Sequence, residues 1–171
     1  EQNDGSDWSS GALYTLITGL PAFFGTHNNS IFSGSYSSQI VGVSHILKKA
    51  EYDLIYLCGN ADFSGTKDML FALQFDKVID YKTIGSTRDK DVFDRAKIEV
   101  QNHLSRNKKF ALFLSTLDTH FPNGFFDKRM EQFVSKQNTN LEFMVSAVDY
   151  MIGDFISFLE NSGVLDSTKI F

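Results

Sequence analysis

The chain has 171 residues, 42% hydrophobic and 14% aromatic, which is enough to bury one sizeable core and excludes a disordered tail. With 16 Lys and Arg against 21 Asp and Glu, the formal net charge is -5 and the basic residues are scattered, a balance that excludes nucleic acid as a partner. The single cysteine, Cys58, excludes an intramolecular disulfide and a Cys-rich metal site.

Behind Ser9 and Ser10, residues Leu13, Leu16, Ile17 and Leu20 fall at helical spacing, and Gly19 with Pro21 closes the segment. This predicts a short helix over 9–20 with serines at its N-terminus. Residues 21–38, rich in Gly, Ser, Asn and Phe, read as a long irregular excursion packed by its aromatics. Ile40, Val43, Ile46 and Leu47 line one face of a second helix over 39–50, ending in Lys48 and Lys49 where the helix dipole favours cations. Leu54, Ile55, Tyr56, Leu57 and Cys58 are continuously apolar and stop at Gly59-Asn60, as expected of a strand buried on both faces. Cys58 is therefore a buried structural thiol rather than a nucleophile.

A short helix over 67–74 and a short strand over 77–80 follow. A charged helix over 91–107 is expected to turn Phe93, Ala96, Val100 and Leu104 inward. Residues 109–115 form the clearest strand and stop at the polar cluster Thr116, Asp118, Thr119 and His120. The last helix, over 140–161, keeps Leu141, Met144, Val148, Met151, Phe155 and Leu159 on one stripe, and Gly163 ends it. Thr168-Lys169-Ile170-Phe171 reads as the start of a core strand that is cut short. Strands alternating with helices predict an α/β domain whose mostly parallel sheet holds residues 53–58 and 110–115, with helices on both faces. In such sheets sites form beyond the carboxyl ends of strands, here residues 60–67 and 118–121.

Ser9 and Ser10 stand where a helix N-terminus stabilises a phosphoryl oxygen, and a serine hydroxyl there is either an ordinary N-cap or a nucleophile. His120 follows the strongest strand, at the edge where an imidazole meets substrate or metal, or is simply a loop histidine. Asp118 reads as a turn residue bonding its own backbone. Lys67 meets an anionic substrate or forms a salt pair at a helix start with Asp62 or Asp68. His27, His45 and His103 make no metal-ligand spacing, and there is no glycine-rich phosphate loop, G-x-S-x-G elbow or H-E-x-x-H. No run of about 18 apolar residues occurs and the first ten residues lack the pattern of a signal peptide, so any membrane anchor is expected outside this chain.

Four ordered stretches, GSDWSSGALYTLITGLP, SSQIVGVSHILKKAEYDLIYLCGNADFSGTKDMLFALQFDKV, NKKFALFLSTLDTHFPNGFF and SAVDYMIGDFISFLENSGVLDSTKIF, together resemble the periplasmic phosphoglycerol transferases of the alkaline phosphatase and sulfatase superfamily. Lipoteichoic acid synthases and phosphoethanolamine transferases are more distant likenesses. The resemblance implies an alkaline phosphatase-like α/β fold, with residues 1–171 as the N-terminal part of one sulfatase-like catalytic domain. It aligns Ser9 with the family nucleophile, usually Thr in the transferases and Ser in alkaline phosphatases. Sulfatases carry x-Pro-x-Arg after the nucleophile, and Ser10-Gly11-Ala12-Leu13 lacks it, which argues against sulfate ester hydrolysis.

His120 matches the family histidine that contacts the substrate, and Lys67 with Asp68 falls where the relatives carry a basic-acidic pair near the site, which implies a substrate-binding role for His120 and Lys67. A divalent metal, manganese or zinc, is implied, with Ser9 as one ligand and the others outside the chain, so the isolated chain is expected to bind metal weakly and to be inactive. Also implied are a phospholipid head-group donor, a cell-envelope glycan acceptor and an extracytoplasmic, membrane-anchored location. A hydrolase of the same fold and a non-catalytic binding domain are the alternatives.

Overall fold

The computed structural model describes residues 8–22, 32 and 37–171. The expected excursion over 21–38, and with it His27, lies largely outside the described residues. The helices are α1 (Ser9–Thr18), α2 (Val43–Lys49), α3 (Thr66–Ala72), α4 (Tyr81–Ile84), α5 (Asp89–Leu104) and α6 (Asn140–Asn161). The strands are β1 (Asp53–Cys58), β2 (Lys77–Ile79) and β3 (Phe110–Ser115), in the order β2-β1-β3.

Both pairings of β1 are parallel, with Asp53 opposite Phe110 and Cys58 opposite Ser115, as the apolar runs predict. The period of two along β1 divides the core. Leu54, Tyr56 and Cys58 join Tyr14, Ile17, Leu70 and Phe75 on the face covered by α1 and α3. Ile55 and Leu57 join Val92 and Ala96 of α5 on the other. The same alternation continues in β3, where Ala111 and Phe113 face one layer and Phe110, Leu112 and Leu114 the other. A third cluster, of Phe93, Met130, Phe143, Met144, Ala147 and Met151, fastens α6 to α5. Helices thus cover both faces of the sheet.

Three expectations are corrected. Helix α2 begins at Val43, and Val43 and Ile46 are exposed while Ser44 is fully buried. The cause lies in Gly42, where a Cβ would stand 2.5 Å from the Ile17 carbonyl oxygen. This close approach to α1 sets the rotation of the helix that follows, and the Gly42 N–H donates to His45 Nδ1 at 3.2 Å as its cap. In α5 the inward stripe includes Val92, Glu99 and His103, and Leu104 is exposed. Glu99 is tolerated inside because Lys77 and Arg95 donate to it at 2.8 and 2.6 Å. Burial alone would push its carboxyl up, but these two cations hold it below its ordinary value. Finally, residues 168–171 form no strand among the described residues, and Ile170 and Phe171 are exposed.

Leu57, fully buried in the middle of the sheet, is expected to cost about 2–5 kcal/mol when replaced by Ala. Urea unfolding checks this; a loss under about 1 kcal/mol would show that β1 is not the packed centre described.

Candidate phosphoryl-transfer site

The carboxyl ends of all three strands open at one edge of the sheet. Gly59, just past β1, fits there because it has no side chain: a Cβ would lie 2.4 Å from the Thr87 carbonyl oxygen and 3.2 Å from Leu117. The loops after β1 and β3 and the entry to α5 therefore meet at one place.

Helix α1 is brought to this edge by its second residue. Ser10 is buried, and its hydroxyl lies 2.6 Å from that of Ser64, in the 3-10 turn Phe63–Gly65 that follows β1. Ser64 holds a left-handed backbone at φ 63°, and Gly65 at φ 68° takes the same conformation without a Cβ penalty. Ser9, one residue earlier, is exposed, and its hydroxyl makes no hydrogen bond among the described residues. Trp8 gives α1 no side-chain cap. An exposed hydroxyl and the positive end of a helix are thus presented together.

Lys67 lies in the first turn of α3, its N–H donating to the Ala61 carbonyl at 3.1 Å. Its ammonium makes neither ion pair nor hydrogen bond among the described residues, so the expected helix-start salt pair is not formed. Asp62 is taken instead by Lys82 at 2.5 Å and by the Tyr81 hydroxyl at 3.0 Å. The Lys82 bond first, then Tyr81, hold its carboxyl below the ordinary range, with a smaller pull from the charge of Lys67.

His120 is exposed in the loop after β3. Its Nδ1–H donates to the Phe121 carbonyl at 2.7 Å. A carbonyl only accepts, so in the neutral ring Nε2 carries the lone pair and faces outward with no partner among the described residues.

What fixes this loop is Asp118, whose buried role was not legible as more than a turn. Its Oδ2 accepts from the Asp89 N–H at 2.9 Å, while Asp89 Oδ1 and Oδ2 accept from Leu117 and Asp118 N–H at 2.7 and 2.9 Å. Each carboxylate thus caps the other's backbone. Arg88 adds bonds to Asp118 Oδ1 at 3.2 Å and to the Phe125 carbonyl at 3.0 Å. The Phe125 N–H closes the loop on the Asp118 carbonyl at 2.8 Å. Spacing could not have revealed the pair, since 29 residues separate the two aspartates. Cys58, by contrast, is as expected: buried, with its thiol pushed up to about 12 by desolvation and then by Asp80.

Among the described residues no group of three or more His, Cys, Asp or Glu is placed to hold a metal ion. Ser9 alone is no metal centre.

A family model described as Sulfatase matches residues 9–171. The chain belongs to the sulfatase family. Phosphoglycerol transferase I of Escherichia fergusonii is 26% identical over 187 residues, covering 99% of this chain and 24% of that protein. Its counterpart in Citrobacter koseri is 25% identical with the same coverage. The chain therefore spans about a quarter of the length of these curated relatives. The lipoteichoic acid synthase LtaP from Listeria monocytogenes superposes with a TM-score of 0.77 at 21% identity, over 95% of this chain and 42% of that one. A protein of the alkaline phosphatase superfamily from Vibrio parahaemolyticus gives 0.65 at 22% identity, over 87% and 38%. At such identities these structures speak for the fold, and they bear out the alkaline phosphatase-like parallel sheet.

Burial raises the Asp89 carboxyl to about 6, despite the two N–H groups it accepts, and raises Asp118 as well. A raised folded-state pKa favours the protonated native form. The Asp89 contribution to stability is therefore fully present below about pH 4 and is lost as pH rises through about 6, on the order of 2–3 kcal/mol. Urea unfolding between pH 4 and 7 is expected to show the advantage of the native chain over Asp89→Asn shrinking as pH rises; parallel curves would remove Asp89 as a titrating brace.

Proposed function

We propose that this chain carries the nucleophile side of a transferase that moves phosphoglycerol, or a similar phospho-head group, from a lipid donor to a cell-envelope glycan. The observation that carries the reading is the contrast at the sheet's carboxyl edge. The Ser9 hydroxyl, the Lys67 ammonium and His120 Nε2 stay uncommitted among the described residues, while Ser10, the Lys67 backbone, Asp118 and His120 Nδ1 are bonded into the fold. The family and the phosphoglycerol transferases it resembles support the same reading.

In the proposed reaction the Ser9 oxygen attacks phosphorus and the bond from phosphorus to the lipid alcohol breaks. The Ser9 proton ends on the departing diacylglycerol oxygen. A glycan hydroxyl then attacks the phosphoserine, the Ser9 bond to phosphorus breaks, and the acceptor's proton returns to Ser9. The α1 N-terminus faces the charge on the phosphoryl oxygens, Lys67 pairs with it, and His120 Nε2 accepts a hydrogen bond from the head group. A divalent cation, manganese or zinc, is part of the family expectation. The donor set described here does not fit one, so no step passes through it; any such ion would take its ligands, Ser9 apart, from residues outside the chain. The extracytoplasmic, membrane-anchored setting belongs to the same proposal. Among the described residues no helix is long and apolar enough to cross a membrane.

In an active protein containing this chain, Ser9→Ala is expected to reduce transfer by at least about a thousandfold with unfolding changed by no more than about 1 kcal/mol. Ser10→Ala, which removes the bond to Ser64, should lower stability and leave the Ser9 hydroxyl in place. Normal transfer by Ser9→Ala, measured with a head-group-labelled phospholipid, would take Ser9 out of the mechanism.

A further inference from the structure

Four residues other than glycine hold a left-handed backbone among the described residues: Glu51, Ser64, Gln74 and Asn107. Three of them close helices: Glu51 follows α2, Gln74 follows α3 and Asn107 follows α5, where left-handed residues are ordinary stops. Ser64 stands before a helix instead, inside the turn Phe63–Gly65 that leads into α3. At φ 63° and ψ 24° its Cβ strains the backbone, and a glycine, as used at Gly65, would not. Strain of this kind persists only where the surroundings hold it, and it directs attention to what the side chain does.

The Ser64 side chain is not needed to close its own turn. There the Lys67 N–H donates to the Ala61 carbonyl at 3.1 Å, the Thr66 hydroxyl to the Phe63 carbonyl at 2.8 Å and the Asp62 N–H to Asn60 Oδ1 at 3.0 Å. The Ser64 hydroxyl reaches out of the turn, to the hydroxyl of Ser10 at 2.6 Å across 54 residues of chain. It makes no other hydrogen bond among the described residues. At the far end of that bond, Ser10 is buried in the first turn of α1, a helix to which Trp8 gives no side-chain cap. Ser9 is its neighbour in sequence, and Lys67 belongs to the first turn of the helix that Ser64 leads into.

We propose that Ser64 is a positioning residue, whose bond to Ser10 locks the first turn of α1 to the turn before Lys67 and so fixes the Ser9 hydroxyl. Consecutive Cα atoms are only about 3.8 Å apart and joined by a planar peptide, so any shift of Ser10 moves Ser9 with it. A misplacement of about 1 Å is enough to slow a reaction about a hundredfold. Glycine at position 64 would relax the backbone but leave the bond unmade. The catalytic consequence rests on the reading of Ser9 as the nucleophile; the lock itself rests on the geometry of Ser10 and Ser64.

Ser64→Gly, made in an active protein containing this chain, separates positioning from support of the fold, because it removes the bond and the strain together. Its Tm is expected within about 3 °C of native, since the two losses offset each other. At saturating head-group-labelled phospholipid, adduct formation on Ser9 should slow about ten- to a hundredfold, with KM changed by less than about twofold. Ser10→Ala should slow the adduct to a similar extent, and the double variant no further, since both changes remove one bond. In hydrogen exchange, the amides of Ala12 to Tyr14 in α1 should open at least about tenfold faster in Ser64→Gly, with those of β1 unchanged. A native adduct rate in Ser64→Gly, whatever its Tm, additive losses in the double variant, or unchanged exchange in α1 would overturn the proposal. Faster exchange in Ser64→Gly together with normal transfer by Ser9→Ala would keep the lock and remove the nucleophile reading. Loss of transfer in Ser9→Ala with exchange unchanged in Ser64→Gly would do the reverse.

Discussion

Strand β1 is covered on both faces and paired in parallel on both sides, and the geometry of the site follows from that. A strand with no exposed face must read as a continuous apolar run, so it carries no catalytic side chain of its own. Because its neighbours run in the same direction, the turns after all three strands emerge together. The polar chemistry gathers at that single edge: Asp62 and Lys67 after β1, Asp80 to Lys82 after β2, Asp118 and His120 after β3. Helix α1 lies early in the chain, yet reaches the same edge because its face packs on β1 and Ser10 bonds Ser64.

At that edge the polar groups are of two kinds. Asp89 and Asp118 are buried and spend their oxygens on each other's backbone, with Arg88 tying in the end of the His120 loop. Asp62 is occupied by Lys82 and Tyr81. The Ser9 hydroxyl, the Lys67 ammonium and His120 Nε2 have no such obligations among the described residues. On the proposed function this contrast suits a transfer reaction, in which the reacting atoms must be held in place without their lone pairs being consumed.

The sheet was legible because burial on two faces leaves an unmistakable apolar run in residues 54–58 and again in 110–114, and because the turn residues after each run mark its end. Helix faces were less so. Periodicity placed Val43 and Ile46 inward, but the Gly42 contact with the Ile17 carbonyl rotates α2, and a contact between distant segments leaves no periodic trace. Glu99 and Asp118 were missed for a related reason: a carboxylate looks like a surface or turn residue until its partners are known, and Lys77, Arg95 and Asp89 are brought to them only by the fold. Ser9, Lys67 and His120 are candidates drawn from their place at helix starts and strand ends together with family likeness.

The central claim is that the exposed Ser9 hydroxyl forms a bond to phosphorus. Acid quenching of an active protein containing this chain during turnover of head-group-labelled phospholipid, followed by peptide mapping, measures that bond directly. The account predicts a phosphoglycerol adduct on the peptide holding Ser9, lost in Ser9→Ala and retained in Ser10→Ala. An adduct on another residue, with none on Ser9 at any time during turnover, would contradict it.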